Sequence, residues 1–87
     1  MGHARARPKH LAAKLLRIRL SLGLSQFELV NRMKVQDYIH YTNISKYELD
    51  KNEPPLMVLL AYSRVSGIPL EQIVDDDIQI VLLKKGR

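Results

Sequence analysis

The stretch Ser25-Gln26-Phe27-Glu28-Leu29-Val30, followed further on by Ile44-Ser45-Lys46-Tyr47-Glu48-Leu49, decides how this chain is expected to fold. Ser25 and Glu28 have the spacing of a capping box. The Ser25 hydroxyl can accept the N–H three residues on, and the Glu28 carboxylate can reach back to the Ser25 N–H, so a helix starts here. Leu29, Val30 and Met33 continue its apolar face, and Val35 lies just beyond its end. From Gln36 to Asn43 the pattern breaks into polar and aromatic residues, which reads as a loop or a loose first turn. A further helix carrying Ile44, Tyr47 and Glu48 is expected from about His40 or Thr42 to Leu49.

Towards the N-terminus, Leu11, Leu15, Ile18 and Leu22 recur at spacings of four, three and four, the stripe of an amphipathic helix. Lys14, Arg17 and Arg19 fall away from that stripe. Gly23 closes this first helix as a left-handed cap, and Pro8 suits its start. Residues 1–8, with Arg5 and Arg7, read as a flexible basic arm. Towards the C-terminus, Asp50-Lys-Asn-Glu-Pro-Pro55 is turn chemistry, because paired prolines cannot lie inside a helix but favour a new one immediately after. The fourth helix is expected from Leu56 to Ser66, with Leu56, Leu59, Leu60 and Ser63 facing inward and Gly67 closing it. A short fifth helix contains Ile73 and Val74, and the acidic run Asp75 to Asp77 reads as its solvated end. The expected organisation is therefore all-α: a basic arm at 1–8, a five-helix domain at 9–77 and a tail at 78–87. Within the tail, Ile78 to Leu83 is apolar and β-branched, fit to dock, to pair as an edge strand or to stay disordered.

Eighty-seven residues, 46% of them hydrophobic, suffice for one core that buries about 60% of the unfolded surface, and are too few for two. The absence of cysteine removes disulfides, thiolate metal sites and a catalytic thiol, so a reducing cytoplasm is the expected setting. Lys9, Lys14, Arg17 and Arg19 interrupt the apolar run near the N-terminus, and neither a membrane span nor a signal-peptide core is expected there. Charge is uneven: residues 1–51 carry ten Lys/Arg against four Asp/Glu, while residues 52–87 carry four against five. The basic half is the one suited to a polyanion, since each phosphate neutralised by Lys or Arg releases condensed counterions.

Taken together, Leu22-Gly-Leu-Ser-Gln-Phe-Glu-Leu29, Ile44-Ser-Lys-Tyr-Glu48, and Pro54-Pro55-Leu56 with Leu59-Leu60 resemble the Cro and phage-repressor type of helix-turn-helix regulator, often called the xenobiotic-response-element family. The resemblance covers roughly residues 11–75. It implies a compact five-helix bundle of the lambda-repressor-like DNA-binding type, with the second helix across the DNA backbone and the third in the major groove. By resemblance, Gln26 donates to a phosphate beside the free N–H groups of a helix start, where Ser25 also lies. The alternative for Gln26 is a plain polar residue in a first helical turn. Tyr41, Thr42, Asn43 and Lys46 match positions that point into the groove. There Asn can pair with adenine, Lys can donate to guanine, and the Thr methyl can meet a thymine methyl. Each has the alternative of a solvated helix face. Lys51 and Asn52 match a turn that meets the phosphate backbone, and Arg19 and Glu48 match an ion pair between the first and third helices. The implied partner is double-stranded DNA, with a homodimer on a palindromic site and a repressor-like role; no cofactor is implied.

The sequence departs from the family pattern between Ser25 and Glu48, where it is several residues longer, within Gln36 to Thr42. The usual turn is therefore enlarged. Lys34 stands where the family often has Gly, so either the turn is rebuilt or Lys34 is strained. Ile39 in the insertion reads as packing, whereas Tyr38 and Tyr41 can either bond phosphate or cover the gap between helices.

No glycine-rich phosphate loop or nucleophile elbow is present, which argues against an enzyme. His3, His10 and His40 lack carboxylate or Cys partners at ligand spacing, so no metal site is expected. The acidic run lacks the alternation and glycine of a calcium loop. The rival class is a partner-binding module resembling antitoxins or coactivators, with the apolar tail Ile78 to Leu83 as its instrument.

Overall fold

The computed structural model describes residues 7–82, which form five helices and no strand: α1 (Leu11–Leu22), α2 (Gln26–Met33), α3 (Tyr41–Glu48), α4 (Leu56–Ser66) and α5 (Leu70–Val74). None of them is long and apolar enough to cross a membrane. On α1 the expected stripe faces inward: Leu11, Leu15 and Ile18 are buried and Leu22 is partly so. Leu15 and Ile18 are fully inaccessible, each contributing about 1.5–3 kcal/mol of transfer free energy before conformational entropy is set against it. They meet Leu29, Val30 and Met33 of α2, Ile44 and Tyr47 of α3, and Ile73 of α5 in one core.

Gly23 and Gly67 end α1 and α4 in left-handed conformations. Lys34 ends α2 in the same way with φ 59°, which a residue bearing a Cβ adopts only at a cost of about 1–2 kcal/mol. The turn keeps the geometry of a glycine cap: Lys34 N–H donates to Asn31 O and Val35 N–H to Val30 O, while Val35 is buried against the core. The connection to α3 then closes on itself, with the N–H groups of Tyr38 and Ile39 both donating to Val35 O. Ile39 packs on the core and Tyr38 stays exposed.

Four expectations are corrected. Pro8 does not open α1, which starts at Leu11 with His10 in the N-cap position. The Asp76 carboxylate explains the shift, because it accepts the N–H groups of Lys9 (2.8 Å) and His10 (3.0 Å) and so does the work of a cap from a distant segment. The acidic run is thus more than a solvated helix end. Lys14 does not point away from the core. It is 6% exposed, and its ammonium donates to the carbonyls of Gln72, Asp75 and Ile78 at 2.7–2.8 Å, at and beyond the C-terminal end of α5 where unpaired carbonyls gather. On α4 the inward residues are Val58, Leu59 and Tyr62, whereas Leu56 is 68% exposed and Ser63 only half-buried.

The described part of the tail forms no strand. It docks in extended form, with Ile80 buried, Leu82 packed on the core, and the Val81 N–H donating to Gln72 Oε1. Leu83 and residues 84–87 lie outside the described residues, as do residues 1–6 of the proposed arm, Arg5 among them. Arg7 is described, and it hydrogen-bonds Asp50 through the backbone carbonyl (2.9 Å) and carboxylate (3.1 Å). Both side chains are well exposed, so this contact adds little to the stability of the fold.

Candidate nucleic-acid interface

The first turn of α3 is set by side chains on either side of it. His40 occupies the N-cap position, and its ring Nδ1 accepts the Thr42 N–H while also meeting Thr42 Oγ1 at 3.0 Å. Accepting an amide proton requires an Nδ1 that carries none. In return, Asn43 Oδ1 accepts the His40 N–H at 3.0 Å. This reciprocal cap fixes where α3 begins. It also gives Asn43 a structural task, since its Oδ1 accepts the His40 N–H and the bond ties the side chain to the start of the helix.

On α3, Ile44 and Tyr47 are buried, and burial raises the Tyr47 hydroxyl above its ordinary pKa. Tyr41, Thr42, Lys46 and Leu49 lie on the other side, exposed, with Ser45 half-buried between them. Thr42 and Lys46 are one helical turn apart and so share a face. The Lys46 ammonium has no hydrogen bond or ion pair among the described residues. A stripe of hydroxyl, methyl and ammonium groups therefore faces outward from a rigid element.

Behind that stripe, α3 is tied to α1 and α2. Arg19 Nε and Nη2 donate to the two Glu48 oxygens at 2.7 and 3.0 Å, and Nη1 donates to Leu24 O. The Glu48 carboxylate holds the Arg19 guanidinium above its ordinary pKa, against the opposing effect of burial. Gln26 Nε2 donates to the same carboxylate at 3.2 Å, leaving its second amide proton outside that bond. Tyr62 lies deep in the core with its hydroxyl lacking a partner among the described residues. Desolvation pushes its pKa far up, with a further contribution from Glu48, so it stays neutral.

Ser25 caps α2 as expected: its hydroxyl accepts the Glu28 N–H, and Glu28 accepts the Ser25 N–H. These bonds hold the exposed Glu28 carboxyl below its usual pKa. Lys51 and Asn52 are exposed, and their N–H groups close the end of α3 on Lys46 O. Tyr38 is exposed on the α2–α3 connection, away from the α3 stripe in sequence.

Phe27 has a place in this surface that sequence spacing does not assign. It is 59% exposed and packs edge-to-face on Tyr41, with ring centroids 5.8 Å apart, and Tyr41 in turn lies 4.5 Å from the His40 ring. The available signal was weak: an aromatic residue off the buried positions 29, 30 and 33. Among the described residues, no group of three or more His, Cys, Asp or Glu is placed to hold a metal ion. The chain matches no known protein family, no curated protein and no solved structure in comparisons with each.

Proposed function

We propose that this protein binds double-stranded DNA sequence-specifically through a helix-turn-helix formed by α2 and α3, as a repressor-like transcriptional regulator of the lambda-repressor-like type. The observation that carries the reading is the outward stripe Tyr41, Thr42 and Lys46 on a helix braced from behind by the Arg19–Glu48–Gln26 cluster. A base-reading helix needs donors and methyl groups held rigidly at major-groove spacing, and this face offers both. Gln26, Ser25 and the start of α2 then meet one phosphate, and Lys51 and Asn52 another, which sets the register without reading sequence. Asn43 acts mainly through the His40 cap. The family resemblance and the basic N-terminal half support the same reading, and with it go the proposals of a cytoplasmic location and a homodimer on a palindromic site.

The partner-binding alternative draws less support from the tail, because Ile80 is buried and Leu82 packs on the chain's own core. Selection of bound duplexes from a random pool tests the proposal. Enrichment of a short motif by the wild type, lost in Lys46→Ala with the fold intact, is expected. A pool that stays unenriched at low salt would count against it.

A further inference from the structure

The far end of α2 from Gln26 carries a second surface feature. Where α2 and the turn after it meet α4, an open groove of about 390 Å³ has an apolar floor of Met33, Val35, Met57 and Val65. Met57 is 56% exposed, and Tyr38, at the groove's edge, is 68% exposed. Arg32, Lys34 and Arg64 stand around this floor, and no carboxylate lines it. None of the three cations has an ion pair among the described residues. Lys34 has a left-handed backbone that favours glycine, so a cation stands at the groove's edge where the fold alone would suit Gly better.

We propose that this groove docks an acidic amphipathic helix from another protein, with large apolar residues on one face and Asp or Glu beside them. The exposed, flexible Met57 can adapt to such anchors above the buried Met33 and Val35, and the cationic rim complements the flanking carboxylates. A DNA backbone matches the rim but not the apolar floor. The chain's own acidic run does not supply the occupant: Asp76 caps α1, and Asp75 Oδ1 accepts the Asp77 N–H. This proposal is independent of the DNA-binding reading.

The probe is a fluorescein-labelled synthetic peptide of about sixteen residues, helical, with Leu and Phe at i, i+3, i+4 and i+7 and Glu or Asp elsewhere. Two control peptides replace the acids with Lys or the apolar residues with Ala. The acidic amphipathic peptide is expected to bind full-length protein with Kd on the order of 10–100 μM, and both controls at least about tenfold more weakly. Amide shifts should move at Met33, Val35 and Met57. Arg32→Glu/Arg64→Glu should weaken binding about tenfold or more. Lys34→Gly relieves the backbone, so it should weaken binding while leaving the melting temperature equal or higher, which separates lost docking from lost folding.

Equal binding of the Lys peptide overturns the proposal, as does acidic-peptide binding indifferent to Arg32→Glu/Arg64→Glu. Shifts centred on Thr42 and Lys46 also overturn it. So does protein that ignores the peptide but self-associates through the groove, or binds duplex DNA there, in a way that the double variant abolishes.

Discussion

Arg19 and Glu48 form a two-point ion pair between α1 and the end of α3, at 2.7 and 3.0 Å, with side-chain exposures of 14% and 6%. Removing one partner strands the other charge in a mostly buried place. Arg19→Met or Glu48→Met should each destabilise by about 3 kcal/mol, while the double variant, with both charges gone, should recover to within about 1 kcal/mol of the wild type. Chemical denaturation of the four proteins measures the cycle. Additive losses would mean that the pair acts as two independent surface charges.

Lys14 gathers three carbonyls from α5 and the segment after it. Lys14→Met keeps the apolar stem and removes the donors, so it should cost about 3 kcal/mol, a fall of more than about 10 °C in Tm for a domain of this size. Hydrogen exchange at the Val81 N–H, which bonds Gln72, should accelerate with it. A Tm within about 2 °C of wild type would contradict the role given to Lys14.

Lys34→Gly should stabilise the fold. It relieves about 1–2 kcal/mol of left-handed strain and gives back about 0.4–1 kcal/mol in unfolded-state entropy, for a net gain of about 0.5–1 kcal/mol. Lys34→Ala keeps the Cβ and should leave stability nearly unchanged. If both variants melt alike, backbone strain is not what distinguishes this position.

Asp76 accepts two N–H groups at the start of α1, and these bonds hold its carboxyl below the ordinary value of 3.8. A carboxylate with a depressed folded-state pKa stabilises fully above its unfolded value, and the contribution fades as pH falls through the folded one. Stability measured between about pH 2 and pH 7 should therefore fall less steeply below about pH 4 in Asp76→Ala than in the wild type. Parallel curves would show that the carboxylate cap adds nothing.

The parts legible in the sequence are those written locally. The stripe Leu11, Leu15 and Ile18 and the Ser25–Glu28 box need only spacing along one helix. The roles of Lys14 and Asp76 are not legible locally because their partners lie far along the chain: Lys14 bonds Gln72, 58 residues away, and Asp76 bonds Lys9, 67 away. The phase of α4 was hard to fix because Leu56-Met-Val-Leu-Leu-Ala61 is apolar all round, leaving periodicity nothing to select. At the candidate interface, Lys46 and Thr42 could be placed from the end of α3. The His40–Asn43 cap could not, since an imidazole accepting an amide proton is an uncommon way to open a helix.

The most direct test of the DNA-binding claim is the salt dependence of affinity for the selected duplex, measured for the wild type and for Lys46→Ala. With two phosphate contacts per protomer and so about four across the proposed dimer, wild-type affinity should fall about 100-fold between about 50 and 200 mM salt. Lys46→Ala should lose the preference for the selected sequence over a scrambled one while keeping its Tm. Salt-independent binding, or unchanged discrimination in Lys46→Ala, would contradict a role for α3 as the reading helix.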